Sequence, residues 1–96
     1  MTTTYIVESW RPDSSDGGSR VSTRIMQRDW NPTTTDHEWR YKRHTFNEWD
    51  WELDAKENHR RAVVRTVRMD VQQDPIDMTY AGDTVRGSLW VVLVTG

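Results

Sequence analysis

The sequence predicts a mainly β domain of five or six antiparallel strands, packed as a small sandwich or open barrel. Three observations carry that prediction. Several stretches alternate apolar and polar residues with period two, the spacing of a strand with one buried face. Clusters of Pro, Gly, Asn, Asp and Ser separate those stretches as turns do, at Pro12–Ser19, Asn31–Asp36 and Asp74–Pro75. The run from Leu89 to Val94 is apolar at every position, as in a strand covered on both faces. An α+β arrangement, with one helix over 46–58 on an antiparallel sheet, is the alternative.

Thr3 to Arg11 reads as a first strand, with Tyr5 and Val7 on one face and Ile6 and Trp10 on the other. Arg20 to Trp30 reads as a second. Its apolar residues change phase between Ile25 and Met26, which suggests a bulge or bend. The two strands are expected to pair across the loop that holds Gly17 and Gly18. Glu38 to Asp54 is the most regularly alternating part. Trp39, Tyr41, Trp49, Trp51 and Leu53 occupy odd positions, and charged residues occupy even ones. A hairpin turning at Thr45-Phe46-Asn47 would set Arg40 opposite Glu52, His44 opposite Glu48 and Tyr41 opposite Trp51. The rival helix rests on Thr45–Glu48 as a capping box and on the stripe of Phe46, Trp49 and Leu53. Arg60 to Gln72 reads as a long strand through Val63, Val67, Met69 and Val71, ended by Pro75. Asp74 also suits the cap of a short helix with Pro75 at its first position and Gly82 after its end. Thr84 to Thr95 reads as the last strand. The expected core is Trp39, Trp51, Val67, Val91 and Leu93.

The 96 residues suit one domain, 1–96. The core must be lean, since the hydrophobic fraction is 34% and the mean hydropathy −0.91. Six tryptophans partly compensate, because each buries a large area, and a homo-oligomer would compensate further. With no cysteine, disulfides and thiolate chemistry are excluded. The first residues lack the basic-then-apolar pattern of a signal peptide, and Leu89–Val94 is too short to span a bilayer as a helix. A cytoplasmic location without membrane contact is therefore expected.

Candidate chemistry is sparse. His37, His44 and His59 are too widely spaced for the short ligand pair of a zinc site, so no metal and no cofactor is expected. Asp13–Gly18 lacks the alternating acids and distal Glu of a calcium loop. Gly17-Gly18 lacks the Lys-Ser/Thr of a phosphate-binding loop. No nucleophile, base and orienting group stand out together, so the chain is not expected to be an enzyme. Glu48, Asp50, Glu52 and Asp54 beside Trp49 and Trp51 leave a carbohydrate-binding or carbohydrate-active protein as one alternative. Arg40–His44 and Arg60–Arg68 leave a single-stranded nucleic-acid-binding module as another, although the net charge of −2 provides no general attraction for a polyanion.

Protein binding is the main expectation. Eleven of the thirteen basic residues are Arg, and Trp and Arg are the types most enriched at interface hot spots. The candidate partner-binding residues are Trp10, Arg11, Arg28 and Trp30. Each tryptophan ends a strand before a Pro-containing loop, which limits the entropy lost on docking, and the two are expected at opposite rims. The expected role is that of a small accessory or inhibitor protein of the phage type that occupies the surface of a larger partner. That comparison rests on size and composition alone.

Overall fold

In the computed structural model the described residues are 2–12, 18–31 and 36–95; for 27–31 and 36–41 only backbone pairing is considered. Five strands and a helix follow one another as β1 (Thr2–Trp10), β2 (Arg20–Asn31), β3 (Asp36–Asn47), α1 (Ala55–Val71), β4 (Asp77–Asp83) and β5 (Gly87–Thr95). All pairings are antiparallel in one open sheet of order β3-β2-β1-β5-β4. The five antiparallel strands match the expected class. So does the single helix on the sheet, which starts at Ala55 instead of Phe46.

The β1–β2 hairpin forms as expected, with Val7 opposite Ile25 and Trp10 opposite Ser22. β2 carries no register shift in either ladder. The change of phase at Ile25–Met26 therefore marks a strand with apolar residues on both faces, not a bulge. The one irregularity lies in β4, where Tyr80 pairs with Trp90 and Gly82 with Leu89. Gly82 has φ +115°, a conformation that disfavours any side chain.

The expected 38–54 hairpin does not form. β3 pairs with β2, so that His44 faces Thr23 and Arg43 faces Arg24. The chain leaves the sheet after Asn47 because the following acids serve the helix. The Asp54 side chain accepts from the Glu57 N–H at 2.7 Å and caps α1. Asn58, almost fully buried, ties down the turn before it. Its Oδ1 accepts from the Asp50 N–H at 2.8 Å, and its Nδ2 donates to the Asp50 and Asp54 carbonyls at 2.9 and 3.1 Å.

The expected strand over 60–72 is the body of α1. Val63, Val67 and Val71 stand four apart, a spacing that both periods allow. Asn58, Ala62 and Thr66 fill the stripe between them and are buried, while Met69 is exposed. Gln72 ends the helix in the left-handed region and donates its N–H to the Arg68 carbonyl. The suggested short helix after Asp74 is instead β4.

The core lies between α1 and one face of the sheet. Val7, Ile25, Val63, Val67, Trp90, Val92 and Val94 form it, with Val21, Phe46 and Ala62 as a second cluster against Trp49. Of the expected core, Val67 is buried, Val91 and Leu93 are half-buried, and Trp51 is 63% exposed. The Trp39 side chain lies outside the described residues. The alternation in β5 explains Val91 and Leu93: Trp90, Val92 and Val94 face the helix, so the residues between them face away. Contrary to expectation, β5 is covered on one face only among the described residues.

Candidate functional site

The most exposed tryptophan among the described residues sits in a stack at the end of the sheet where β1 stops and α1 begins. The Arg11 guanidinium lies 4.6 Å from the centre of the Trp49 ring and 5.0 Å from that of Trp51. The two rings meet edge to face, 6.2 Å apart at 67°. The stack is fixed at several points. Arg11 Nη2 donates to the Gly18 carbonyl at 2.6 Å, and the Trp49 N–H donates to the Ser19 carbonyl at 2.9 Å. Asn58 holds the intervening turn, as described above. A cation between two rings gains about 0.5–1 kcal/mol when exposed and more when desolvated. These contacts hold the Arg11, Trp49 and Trp51 side chains against one another.

Behind the stack lies a polar pair. Trp49 packs edge-on against His59 at 5.1 Å, and His59 Nδ1 is 2.7 Å from the Oγ of fully buried Ser9. Burial holds the His59 imidazole below its ordinary pKa. The Arg11 charge pushes the same way, against a weaker opposing pull from Asp83. His59 lines a cavity of about 300 Å³ with Lys56, Tyr80, Asp83 and Ser88. The β4 bulge brings Tyr80 and Asp83 to this face together, and the Tyr80 hydroxyl donates to Asp83. Ser9 has no exposed surface, so its hydroxyl is not presented as a nucleophile.

Trp10 takes the opposite face of the sheet from Arg11. It is 8% exposed. Arg86 lies over its ring at 3.8 Å and Arg43 at 5.7 Å. Arg86 also donates through Nη2 to Glu8 at 2.9 Å, and Arg24 lies 3.5 Å from the same carboxylate. Burial pushes the Glu8 carboxyl up. The hydrogen bonds from Arg86 and Thr84 and the charges of Arg86 and Arg24 outweigh that and leave it below its ordinary value.

The predicted residues thus separate. Trp10 lies under arginines on one face, and Arg11 stacks on other tryptophans on the opposite face. Arg28 pairs with Trp39, and Trp30 with His37, in a two-stranded extension of β2 and β3 beyond the end of the β1 ladder. Trp30 falls eight positions from Ser22, the partner of Trp10, so the two tryptophans mark opposite ends. The side chains of Arg28 and Trp30 lie outside the described residues, as does the calcium-like part of the first loop, 13–17.

The other candidate groups are absorbed by structure. The arginines over 60–68 lie on the outer side of α1, and each meets an acid: Arg60 with Glu57, Arg61 with Asp50, Arg65 with Glu48 and Arg68 with Asp74. Glu48 therefore pairs with Arg65. His44 bonds Asp70 at 2.8 Å instead of the expected Glu48. Among the described residues no three His, Cys, Asp or Glu side chains are grouped to hold a metal, and no helix is long and apolar enough to cross a membrane. Comparisons with family models, curated proteins and solved structures give no match.

Sequence reasoning placed Trp51 in the core and did not join Arg11 to Trp49 and Trp51, because the alternation of these tryptophans with acids imitates a half-buried strand. The usable signal was Asp54-Ala55-Lys56-Glu57, a cap pattern that begins a helix just after Trp51.

Proposed function

We propose that the chain is a non-enzymatic protein-binding domain that docks a larger partner through the Arg11–Trp49–Trp51 stack. The observation that carries this reading is a tryptophan 63% exposed yet held against a second tryptophan and an arginine. A large exposed ring costs solvation, and a fixed one loses little entropy when covered. Trp and Arg together are the usual chemistry of an interface hot spot. Inhibition follows if the surface covered is the one the partner works with. The pairing of each arginine over 60–68 with an acid favours a protein over nucleic acid as the partner.

The test is capture from a lysate of the source cells, with and without nuclease, using the parent chain, Trp51→Ala and Arg11→Ala. Both variants are expected to stay folded and to lose about 2 kcal/mol or more of binding, as hot spots do, with the captured protein surviving nuclease. Folded variants that bind like the parent overturn the stack as the site. Material lost on nuclease treatment overturns the protein reading.

A further inference from the structure

A continuous line of contacts joins a buried hydroxyl to the exposed ring of the stack. The His59 ring meets the Oγ of fully buried Ser9 at 2.7 Å through Nδ1 and the Trp49 ring at 5.1 Å and 72°. Trp49 carries the Arg11 guanidinium, and Arg11 in turn lies over Trp51. The groups around His59 come from every element packed on it. β1 leads into Arg11, and α1 itself supplies Lys56. β4 supplies Tyr80 and Asp83, which are bonded to each other, and β5 supplies the uncharged Gly87 and Ser88. The turn after β3 supplies the Trp49 ring, while its Asp50 carboxylate pairs with Arg61.

Neutral and protonated imidazole make different demands at this place. A neutral ring can accept the Ser9 hydroxyl hydrogen at Nδ1. A protonated ring carries a hydrogen on both nitrogens. Nδ1 then becomes a donor, and Ser9 must turn its own hydrogen to another acceptor at a point without solvent. The ring also becomes a second cation next to Arg11. Linkage makes that conflict mutual. The Arg11 charge disfavours a proton on His59, so the proton disfavours Arg11 in its place by the same free energy.

We infer that His59 is an acid-sensitive latch beneath the stack: the neutral ring, held by Ser9, backs Trp49, and a proton on it drives Arg11 off the two rings and frees Trp51. The docking surface is thus assembled at neutral pH and comes apart on acidification. That consequence for binding rests on the function proposed above, whereas the latch is a property of the chain alone.

The experiment is an NMR titration of the isotope-labelled chain, without any partner, from about pH 7.5 to about pH 4.5. The His59 ring signals and the Trp51 indole N–H are expected to move with one midpoint below 6.5. The amides of Val92 and Val94, in the core, are expected to stay in place. His59→Gln is expected to abolish the Trp51 step, and His44→Gln to leave it. Arg11→Gln, which removes the charge, is expected to raise the His59 midpoint by about 0.5 in pH. The inference is overturned if Trp51 stays still while His59 titrates, or if the step persists in folded His59→Gln. It is equally overturned if Val92 and Val94 move with Trp51, which is global unfolding, or if folded Arg11→Gln leaves the His59 midpoint unchanged. A latch that responds as expected in a chain that captures no partner counts against the docking function alone.

Discussion

On the face turned to α1, β1 and β5 bring Val7, Trp90, Val92 and Val94, each at most 3% exposed. On the other face the same two strands bring Ile6, Glu8, Trp10, Leu89 and Val91, a mixture of half-buried apolar groups and a carboxylate held by arginines. One backbone serves both faces, so the difference comes from side-chain choice alone. The covered face pairs its polar groups inward: the Thr23 and Thr66 hydroxyls meet at 2.5 Å, and Ser9 meets His59. The open face keeps Arg86 bonded to Glu8 and stacked on Trp10, an arrangement that solvent or a partner can reach.

The comparison breaks most easily at neighbouring residues of β5. Trp90 packs against Tyr80 at 5.5 Å and donates its indole N–H to Ser88 at 2.9 Å on the covered face. Trp90→Ala is expected to cost about 3–5 kcal/mol, a large part of the roughly 5–10 kcal/mol that holds a chain of this size. Leu89→Ala, one residue away on the open face, is expected to cost about 1 kcal/mol, since the side chain loses only half of a burial. Urea denaturation of both variants measures the contrast. Equal costs would mean that the two faces are packed alike.

Gly87 sharpens the comparison at the point where both faces end. A Cβ at this position would come within 2.0 Å of the Ser9 carbonyl oxygen and 2.8 Å of the Trp10 Cα. Those are backbone atoms, so no rotamer change relieves the clash. Gly87→Ala is expected to separate β1 from β5 locally and to cost about 2 kcal/mol or more. It should disturb amide signals of Ser9 and Trp10 together, one on each face. An unchanged melting temperature would contradict the close approach of the two strands.

Each face also carries a group whose pKa the fold lowers, and the two act at different pH. His59, on the covered side, has a folded pKa below its ordinary 6.5. Below 6.5 the unfolded chain therefore holds a proton that the folded chain does not. Stability is full above that pH and falls as pH drops, until folded His59 itself protonates. Glu8, on the open face, has a folded pKa below 4.5. Its contribution is present above 4.5 and is lost as pH falls through the folded value. Both slopes have the same sign, so the variants separate them. His59→Gln is expected to remove the upper step in a plot of stability against pH, and Glu8→Gln the lower one. A profile that neither variant alters would remove both groups from the account.

Legibility in the sequence followed the same division. β1 and β2 were readable because a strand in a one-layer sheet leaves a period-two record, and β5 because a short unbroken apolar run reads as a strand. The phase change in β2 recorded two faces with different tasks. The helix was not readable as such. Val63, Val67 and Val71 fit a strand and a helix equally, and the arginines at 60, 61, 65 and 68 resemble the polar side of either. Arg65, the intruder in the strand reading, lies on the outer side of α1 against Glu48. Trp49 and Trp51 were misread because alternation with acids has the same signature whether the acids face solvent across a sheet or cap and brace a helix. Of the site, Arg11 was found and its partners were not. Long-range contacts such as Arg11 on Trp49 leave no periodic trace in a single chain.

The smallest expected effect tests whether the open face gives up stability for its charge. Arg24 and Arg43 stand opposite each other, and Arg43 lies 5.7 Å from the Trp10 ring, near the outer limit of a cation–π contact. Arg43→Glu replaces a like-charge pair by an opposite-charge pair at the same register. Cross-strand charge pairs of this kind contribute about 0.2–1 kcal/mol, and the distant ring contact that is lost returns part of the gain. Arg86, at 3.8 Å, still covers Trp10. The variant is therefore expected to melt slightly higher than the parent at low salt. Because both side chains are reached by solvent, the difference should vanish as salt is raised. An equivalent change where the cation already meets an acid, Arg65→Glu against Glu48, should instead lower the melting temperature. If both variants lower it alike, the pairing of Arg24 with Arg43 is not a strain on the sheet.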